Sequence, residues 1–440
     1  MAIAGFSRDQ FETALKQTLS PTSPIRSPEH LRGREKKLED IRRALVQPGR
    51  SVFVYGDRGV GKTSLAQTAA YEHQSSSKPP VLTGCDASST FGKVAQQITT
   101  RLLGLDANLI KLSDQTKGGL KGGMKGVGAS IEIQHTSEKG PVPLPTSVDD
   151  AINMLAQAAR RHSSQPVIVI DEFERLKDDA ERALFADLIK QTGDQSMPFK
   201  LIFCGVASSL SELLDAHHSC YRYLVTVELE RLPPAPRFEI MNEAAKAVGV
   251  EIEASTLGRV SAISDGFPHY IHLITEKLLW EIFGDENTIF VSRPAHYIAA
   301  IKAAVLDIEA KLRANYEKAT QKYVESDQYE AVLWAVADHH ELSRRSADIF
   351  EVYRHITSKW QNAGMMTTLP RDKFTQRINA LKRAAHGSIL RGSRQGWYEF
   401  SEPVMRGYVR LRAEDRGTQL GADHASEYRG PGRLQPTAQG

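Results

Sequence analysis

The strongest constraint on this chain is a glycine-rich segment that directly follows a short apolar run. Ser51 to Tyr55 have the composition of a buried strand, and a helix is predicted from Thr63 onward. Between them the chain reads Gly56-Asp57-Arg58-Gly59-Val60-Gly61-Lys62-Thr63, which fits the pattern GxxxxGK(S/T) at every position. Glycines let backbone N–H groups turn inward around a phosphate, and the positive end of the following helix faces the same anion. A strand, this loop and a helix in succession therefore predict a site for the phosphates of a nucleotide.

Each position of this loop has an expected role at such a site. We expect Lys62 to reach the β- and γ-phosphates of ATP and the hydroxyl of Thr63 to bind Mg²⁺. The loop and the first helical residues should surround the phosphates. These expected nucleotide-binding residues are Gly56, Asp57, Arg58, Gly59, Val60, Gly61, Lys62, Thr63 and Ser64.

A second apolar run, Val167 to Ile170, ends in two acids, Asp171 and Glu172. A buried parallel strand that ends in this way places both carboxylates at the carboxyl edge of the sheet, beside the phosphates. We expect Asp171 to hold Mg²⁺ through water, and Glu172 to orient or deprotonate the attacking water. The pair favours ATP hydrolysis over phosphoryl transfer to a small metabolite.

Apolar runs and helical patterns alternate along the first half of the chain, which predicts a three-layer α/β P-loop NTPase fold with a mostly parallel sheet. At 440 residues the chain is too long for one core, and an all-helical lid and a C-terminal winged helix are predicted after the sheet. The predicted divisions are an N-terminal helix and linker at 1–30, the ATPase core at 31–232, the lid at 233–325, the winged helix at 326–413 and a disordered tail at 414–440.

One segment precedes this α/β pattern and another interrupts it. Residues 7–19 are predicted to form a helix that begins with a capping box of Ser7 and Gln10. Residues at about 113–147 are rich in glycine and lysine and cannot build a core. That insertion is either a flexible loop or a contact for DNA or another partner.

Composition excludes several classes of protein. No apolar run reaches the roughly 18 residues of a membrane span, and no signal peptide is evident, so a cytoplasmic protein is expected with no membrane partner. The three cysteines, Cys85, Cys204 and Cys220, have spacings that favour buried thiols over disulfides or zinc ligands. The stretch from Glu341 to Glu414 carries 14 Lys/Arg against 7 Asp/Glu. This basic segment either contacts nucleic acid or is a solvated face.

The segment Leu31-Arg32-Gly33-Arg34-Glu35 resembles the GRE segment of initiator-type AAA+ ATPases and of STAND signalling ATPases. With the phosphate loop and the Asp171-Glu172 pair, it makes the chain similar to initiator-like and archaeal-type members that carry a C-terminal winged helix. The resemblance implies that Gly33 and Arg34 lie near the adenine base.

The same resemblance implies three further site residues. Ser208 stands after a predicted strand where these families carry the polar sensor 1 residue, although many members have Asn there. Arg222 precedes the last predicted strand, where AAA+ proteins often carry an arginine finger, and it is otherwise an ordinary surface arginine. His269, in a segment similar to the G-x-P element of the lid, is either a nucleotide contact or a packed histidine.

Residues 328–413 resemble a winged helix, with a third helix at 370–383 and a hairpin wing at 390–400. Phe374, Ile378 and Leu381 share one face at helical spacing and should pack inward. Duplex DNA is then the expected partner of the outward-facing basic residues, although winged helices also serve protein contacts. Those residues are Arg371, Lys373, Arg377, Lys382 and Arg383.

Two functions remain open from the sequence. The first is an ATP-hydrolysing AAA+ switch that forms an ATP-dependent homo-oligomer and binds DNA, as in replication initiation, transposition or mobile-element defence. The second is a STAND-like signalling ATPase whose winged helix contacts protein and which acts with a separate effector. A small-molecule kinase is disfavoured by the predicted lid and winged helix.

Overall fold

The computed structural model falls into two compact units. The core unit comprises Ile25–Gly56 and Lys62–Leu229, and the lid unit comprises Met1–Pro24, Asp57–Gly61 and Glu230–Gly440. Among the described residues, no helix is both long and apolar enough to cross a membrane. The structure describes residues 3, 5–21, 24–25, 28–74, 78–105, 142–216, 218–321, 324–362 and 367–421.

The core unit is built on a five-stranded parallel sheet with the strand order β2-β3-β4-β1-β5. Tyr55 at the end of β1 pairs with Gly205 of β4 and Glu228 of β5, so the strands end at one edge. The elements are α2 (Glu35–Val46), β1 (Ser51–Tyr55), α3 (Lys62–His73), β2 (Val81–Gly84), α4 (Phe91–Leu102), α5 (Val148–His162), β3 (Val167–Asp171), α6 (Asp179–Gln195), β4 (Lys200–Gly205), α7 (Ala207–Ala216) and β5 (Leu224–Glu228).

The central strands are nearly continuous apolar runs because helices cover both faces of the sheet. Phe53 on β1 and Phe203 on β4 are fully buried, as is Phe173 just beyond β3. The ring of Phe173 packs edge-to-face against Phe53, Phe203 and Phe185 of α6, with centroids 5.3 to 5.8 Å apart. Phe185 in turn packs edge-to-face against Phe203 at 6.2 Å. This packing confirms the predicted α/β P-loop class and fixes the strand ends that carry the site.

All three cysteines of the core unit are buried and free. Burial raises the pKa of Cys85 to about 12 and that of Cys220 to about 11, and it raises the pKa of Cys204 well above its usual value. Since the thiolate is the reactive form, these side chains are inert packing residues at neutral pH.

The lid unit begins with the N-terminal helix α1 (Arg8–Thr18), and its capping box of Ser7 and Gln10 confirms the prediction. The ring of Phe11 stacks on Phe283 at 4.3 Å and meets Trp280 edge-on at 4.9 Å. The sequence did not predict this docking. The helices that follow in the lid are α8 (Pro234–Ala247), α9 (Ala254–Ser264), α10 (Pro268–Phe283), α11 (Pro294–Asp307) and α12 (Ala310–Thr320).

The C-terminal part of the lid unit has helices and a small antiparallel sheet of order β6-β8-β7. Phe374, Ile378 and Leu381 are fully buried, as predicted. The element order is the one expected for a winged helix, and that assignment stays a prediction. The elements are α13 (Ser326–Ala337), β6 (Arg344–Arg345), α14 (Ser346–Asn362), α15 (Arg371–Ala380), β7 (Leu390–Arg391), β8 (Trp397–Phe400) and α16 (Met405–Asp415).

One predicted outward-facing cation, Arg377, is engaged within its own unit, so that prediction was wrong. Its guanidinium forms an ion pair with Glu325 at 3.2 Å and donates to the amide oxygen of Gln328 at 3.0 Å. It also lies over the ring of Tyr329, 5.1 Å from the centroid. Helical spacing placed Arg377 away from the apolar face, but these partners come from a segment about 50 residues earlier that the spacing could not reveal.

The first residues of the predicted disordered tail, 414–421, are packed within the lid unit, and residues 422–440 lie outside the described residues. Helix α16 continues to Asp415, and beyond it Leu420 is 1% exposed. The backbone N–H of Gly421 donates to the Asp338 carboxylate at 2.5 Å. The glycine- and lysine-rich insertion lies outside the described residues, except for residues 142–147.

A buried carboxylate holds several parts of the lid unit together. Asp265 ends α9 in the left-handed conformation with φ of 52° and is 5% exposed. Its carboxylate accepts from Arg231 at 2.5 Å, from Arg406 at 2.6 Å and from Arg410 at 3.2 Å. Burial opposes its ionisation, but the three guanidinium charges outweigh burial and lower the pKa of Asp265 below its usual value.

We expect Asp265→Ala to lower the free energy of unfolding of the lid unit by about 3–5 kcal/mol, because it leaves buried arginines without a counter-charge. All four tryptophans lie in this unit, so urea unfolding followed by tryptophan fluorescence reports it selectively. The control is Glu351→Ala, whose partner Arg354 stands 3.6 Å away in an exposed pair, and which should change stability by less than about 0.5 kcal/mol.

The loss of unfolding free energy caused by Asp265→Ala should also depend on pH. Because the folded pKa of Asp265 is depressed, its ion pairs contribute fully above the unfolded pKa and are lost as pH falls through the folded value. The difference between wild type and variant should therefore shrink in acid. A difference below about 1 kcal/mol at neutral pH would contradict this account of a buried ion-pair cluster.

Candidate nucleotide-binding site

The glycine-rich loop connects β1 to α3 with the backbone that its sequence predicts. Gly56, Gly59 and Gly61 all have positive φ, at 153°, 86° and 97°. Side chains with a Cβ rarely adopt these angles, so the pattern needs glycine at these positions. Lys62 is 9% exposed and its ammonium donates to the carbonyl of Gly56 at 3.1 Å. The lysine therefore lies folded over the start of its own loop.

Thr63 and Asp171 meet across the sheet edge. The Thr63 hydroxyl donates to Asp171 Oδ2 at 2.6 Å, although β4 separates β1 from β3 in the sheet. Asp171 Oδ1 accepts from the backbone N–H of Glu172 at 2.8 Å. A hydroxyl and a carboxylate side by side are the hard oxygen ligands that Mg²⁺ prefers. These two side chains therefore fit the metal that the sequence predicts at this place.

Glu172, the predicted water-activating residue, follows Asp171 in a strained backbone conformation. Its φ of 54° and ψ of 38° lie in the left-handed region, which is uncommon for a residue other than glycine. Such outliers cluster at functional sites, where the surrounding structure holds them in place. Its carboxylate forms an ion pair with Arg175 at 2.9 Å.

The predicted adenine-contacting residues lie at the start of α2. Gly33 has φ of 71°, and its backbone N–H donates to the Glu35 carboxylate at 2.9 Å. Arg34 is 7% exposed and precedes the first turn of the helix. Gly33 thus provides a positive φ that residues with a Cβ rarely adopt. Arg34 is buried in the core unit and does not project into solvent.

The sequence did not predict a contact between Ile25 and helix α3. The backbone N–H of Ile25 donates to the Ser64 hydroxyl at 3.1 Å, and its carbonyl accepts from the Thr68 hydroxyl at 3.2 Å. Ser64 is thereby used as a side-chain acceptor as well as a predicted loop residue. The preceding prolines and serines predicted only a linker, and no periodic signal marks Ile25.

Ser208 and Arg222 both have exposed side chains, but they lie at opposite edges of the parallel sheet, because Ser208 follows the end of β4 and Arg222 precedes the start of β5. Ser208 is in the first turn of α7, immediately before a buried serine, Ser209, whose hydroxyl donates to the Val206 carbonyl at 2.7 Å. Arg222 ends a short 3₁₀ turn, His218–Arg222, just before β5. The structure places both where the sequence expected them along the chain, and their proposed roles remain predictions.

Within the lid unit, the loop glycines face the segment around α10. A Cβ on Gly59 would lie 3.4 Å from the side chain of Val404 and 3.5 Å from that of Phe267. His269 donates from Nδ1 to the Pro21 carbonyl at 2.9 Å, since that oxygen can only accept. His269 is therefore engaged with the N-terminal segment, which agrees with the packed-histidine alternative.

Residues 30–202 match the family model of the AAA ATPase domain. This segment is an AAA ATPase domain. It contains the phosphate-binding loop, Asp171 and Glu172, and it ends in β4. No curated protein matches the chain.

Several solved structures are similar to this chain over most of its length. The Walker-type ATPase PABY2304 of Pyrococcus abyssi is 15% identical, with 88% of this chain and 98% of that chain covered and a TM-score of 0.48. Cdc6p from Pyrobaculum aerophilum is 14% identical, with 93% and 99% covered and a TM-score of 0.44. The Aeropyrum pernix ORC1 protein in complex with DNA is 14% identical, with 88% and 95% covered and a TM-score of 0.42. Because these TM-scores are below 0.5, the assignment of residues 30–202 to the AAA ATPase domain rests on the family match and on the geometry of the site.

Proposed function

We propose that the chain binds ATP with Mg²⁺ and hydrolyses it to ADP and phosphate. The observation that carries this proposal is the contact between Thr63 and Asp171, which joins the phosphate-binding loop to the acidic end of β3. Bound Mg²⁺ would supply charge neutralisation between the β- and γ-phosphates. Glu172 follows directly and can present a carboxylate to the attacking water.

Each residue of the candidate site then has its own proposed role in binding or hydrolysis. The backbone of residues 56–61 surrounds the phosphates, and Lys62 leaves the Gly56 carbonyl to contact them. Thr63 and Asp171 would hold the metal, and Gly33 and Arg34 would lie toward the base. Ser208 is proposed to contact the γ-phosphate or the attacking water. Positioning and electrostatics account for most of the catalysis in such a site.

Lys62→Ala and Glu172→Gln should separate binding from turnover. A charge-assisted contact contributes about 1.5–3 kcal/mol, so Lys62→Ala should raise the Kd for Mg-ATP at least about tenfold. Glu172→Gln should keep that Kd and lower kcat by about 10²- to 10⁴-fold, because a general base is lost. Calorimetry and phosphate release measure the two effects, with the exposed Lys93→Ala as control. Normal turnover by the Glu172→Gln protein would refute the proposed role of Glu172.

We further propose that hydrolysis depends on an ATP-dependent homo-oligomer in which Arg222 of one copy reaches the γ-phosphate held by the next. Arg222 is exposed, and its neighbour Tyr221 has 58% of its surface exposed in the same turn. An arginine supplied in this way stabilises the charge of the transition state.

Turnover per molecule should therefore rise with protein concentration in the wild type. Arg222→Ala should lower the rate at high concentration on the order of 10³-fold, the scale of other arginines supplied in trans. Arg101→Ala, an exposed arginine on α4, is the control. A rate per molecule that is independent of concentration, together with normal turnover by the Arg222→Ala protein, contradicts the trans contact.

The basic surface at the C-terminal end of the chain supports a proposal that duplex DNA is bound there. Arg371, Lys373, Lys382 and Arg383 are exposed on or just after α15. Since Arg377 is engaged by Glu325, it is not part of the proposed DNA surface. The hairpin adds Arg394, whose guanidinium stacks on Trp397 at 3.6 Å. Cations of this kind bind phosphates and make binding depend steeply on salt.

The double variant Lys382→Ala/Arg383→Ala should weaken binding of a short DNA duplex and reduce the slope of log Kd against log salt by about 1 per residue. Arg377→Ala is the matched control, because it removes an arginine that is already paired, and its slope should equal that of the wild type. Electrophoretic shift over a salt series measures both. An unchanged slope in the double variant, or no binding at low salt, contradicts this proposal and favours a protein-contacting role in a signalling ATPase with a separate effector.

A further inference from the structure

The two acids that follow β3 are held in different ways. The Asp171 carboxylate accepts hydrogen bonds from the Thr63 hydroxyl and from a backbone N–H, and these two bonds fix it in place. The Glu172 carboxylate instead faces a guanidinium of the same turn. Arg175 Nε lies 2.9 Å from one carboxylate oxygen, and a terminal guanidinium nitrogen lies 3.2 Å from the other. The proposed catalytic carboxylate is thus bound at both oxygens.

The backbone fixes this arrangement. Phe173 is fully buried and anchors the short 3₁₀ turn Phe173–Arg175. The N–H of Arg175 donates to the Glu172 carbonyl at 2.9 Å. With Glu172 in the left-handed conformation, the turn places the two side chains next to each other. The pair is therefore a product of the local fold.

The ion pair has a consequence for hydrolysis. A carboxylate must direct a lone pair at the attacking water to orient it or accept its proton. A two-point contact with a planar guanidinium uses one lone pair on each oxygen and fixes the plane of the carboxylate. Each side chain has 44% of its surface exposed, so solvent weakens the pair and it can open.

We propose that Arg175 is a positioning residue that restrains Glu172 and lowers the basal rate of hydrolysis. This inference rests on the proposed role of Glu172 in activating water. When the ion pair opens, Glu172 is free to turn toward the attacking water. The arginine is therefore a brake contained in the strand-to-helix turn itself.

Arg175→Gln should raise kcat for ATP about three- to fivefold and leave KM within a factor of two, because the change acts on Glu172 and not on nucleotide binding. A fivefold change corresponds to about 1 kcal/mol. Arg175→Lys keeps the charge without the two-point fit, so its kcat should lie between those of wild type and Arg175→Gln. The double variant Glu172→Gln/Arg175→Gln should be as inactive as Glu172→Gln, since the gain requires the carboxylate.

The matched control is Arg43→Gln, which removes an exposed arginine from a similar local pair with Glu39 at 2.8 Å and should leave kcat unchanged. A kcat of Arg175→Gln equal to or below that of wild type, with Glu172→Gln inactive, overturns the brake and leaves the proposed ATPase activity intact. Normal turnover by Glu172→Gln overturns both. If Arg175→Gln does not fold, Arg175→Lys decides, and an unchanged kcat there overturns the brake.

Discussion

The contact between the Thr63 hydroxyl and the Asp171 carboxylate is the interaction on which the site depends. It joins the start of α3, which follows β1, to the end of β3, with β4 between them in the sheet. Buried parallel strands hold both ends in place, because their registers and their aromatic core leave little room for adjustment. The carboxyl edge of such a sheet is where ligands bind, and here it carries the Thr63 hydroxyl and the Asp171 carboxylate side by side.

The side chains of the neighbouring residues Asp171 and Glu172 differ in how firmly they are held. Asp171 is held through both carboxylate oxygens, whereas Glu172 and Arg175 are half-exposed at the start of a 3₁₀ turn. A group that must move during a reaction is expected in such a place, with few buried contacts. In the lid unit the opposite arrangement occurs at Asp265, whose buried carboxylate fixes three arginines and through them several helix ends.

Much of the core unit could be predicted because its signals are local. The strand of Ser51–Tyr55, the loop glycines with positive φ and the two acids after β3 all follow from short runs of sequence. The capping box of α1 is equally local. What the sequence could not provide were contacts between distant segments. Arg377 was predicted to be free because its partners, Glu325 and Gln328, lie in another helical segment.

The left-handed conformation of Glu172, and with it the ion pair to Arg175, also has no sequence signal, since no glycine marks it.

The most direct test of the metal site is calorimetric titration of ATP into wild type, Asp171→Asn and Thr63→Ser, with and without Mg²⁺. ATP should bind wild type and Thr63→Ser more tightly with Mg²⁺, because both keep a hydroxyl and a carboxylate. Asp171→Asn should bind ATP without metal and gain little from Mg²⁺. An equal gain from Mg²⁺ in Asp171→Asn and wild type would contradict the account.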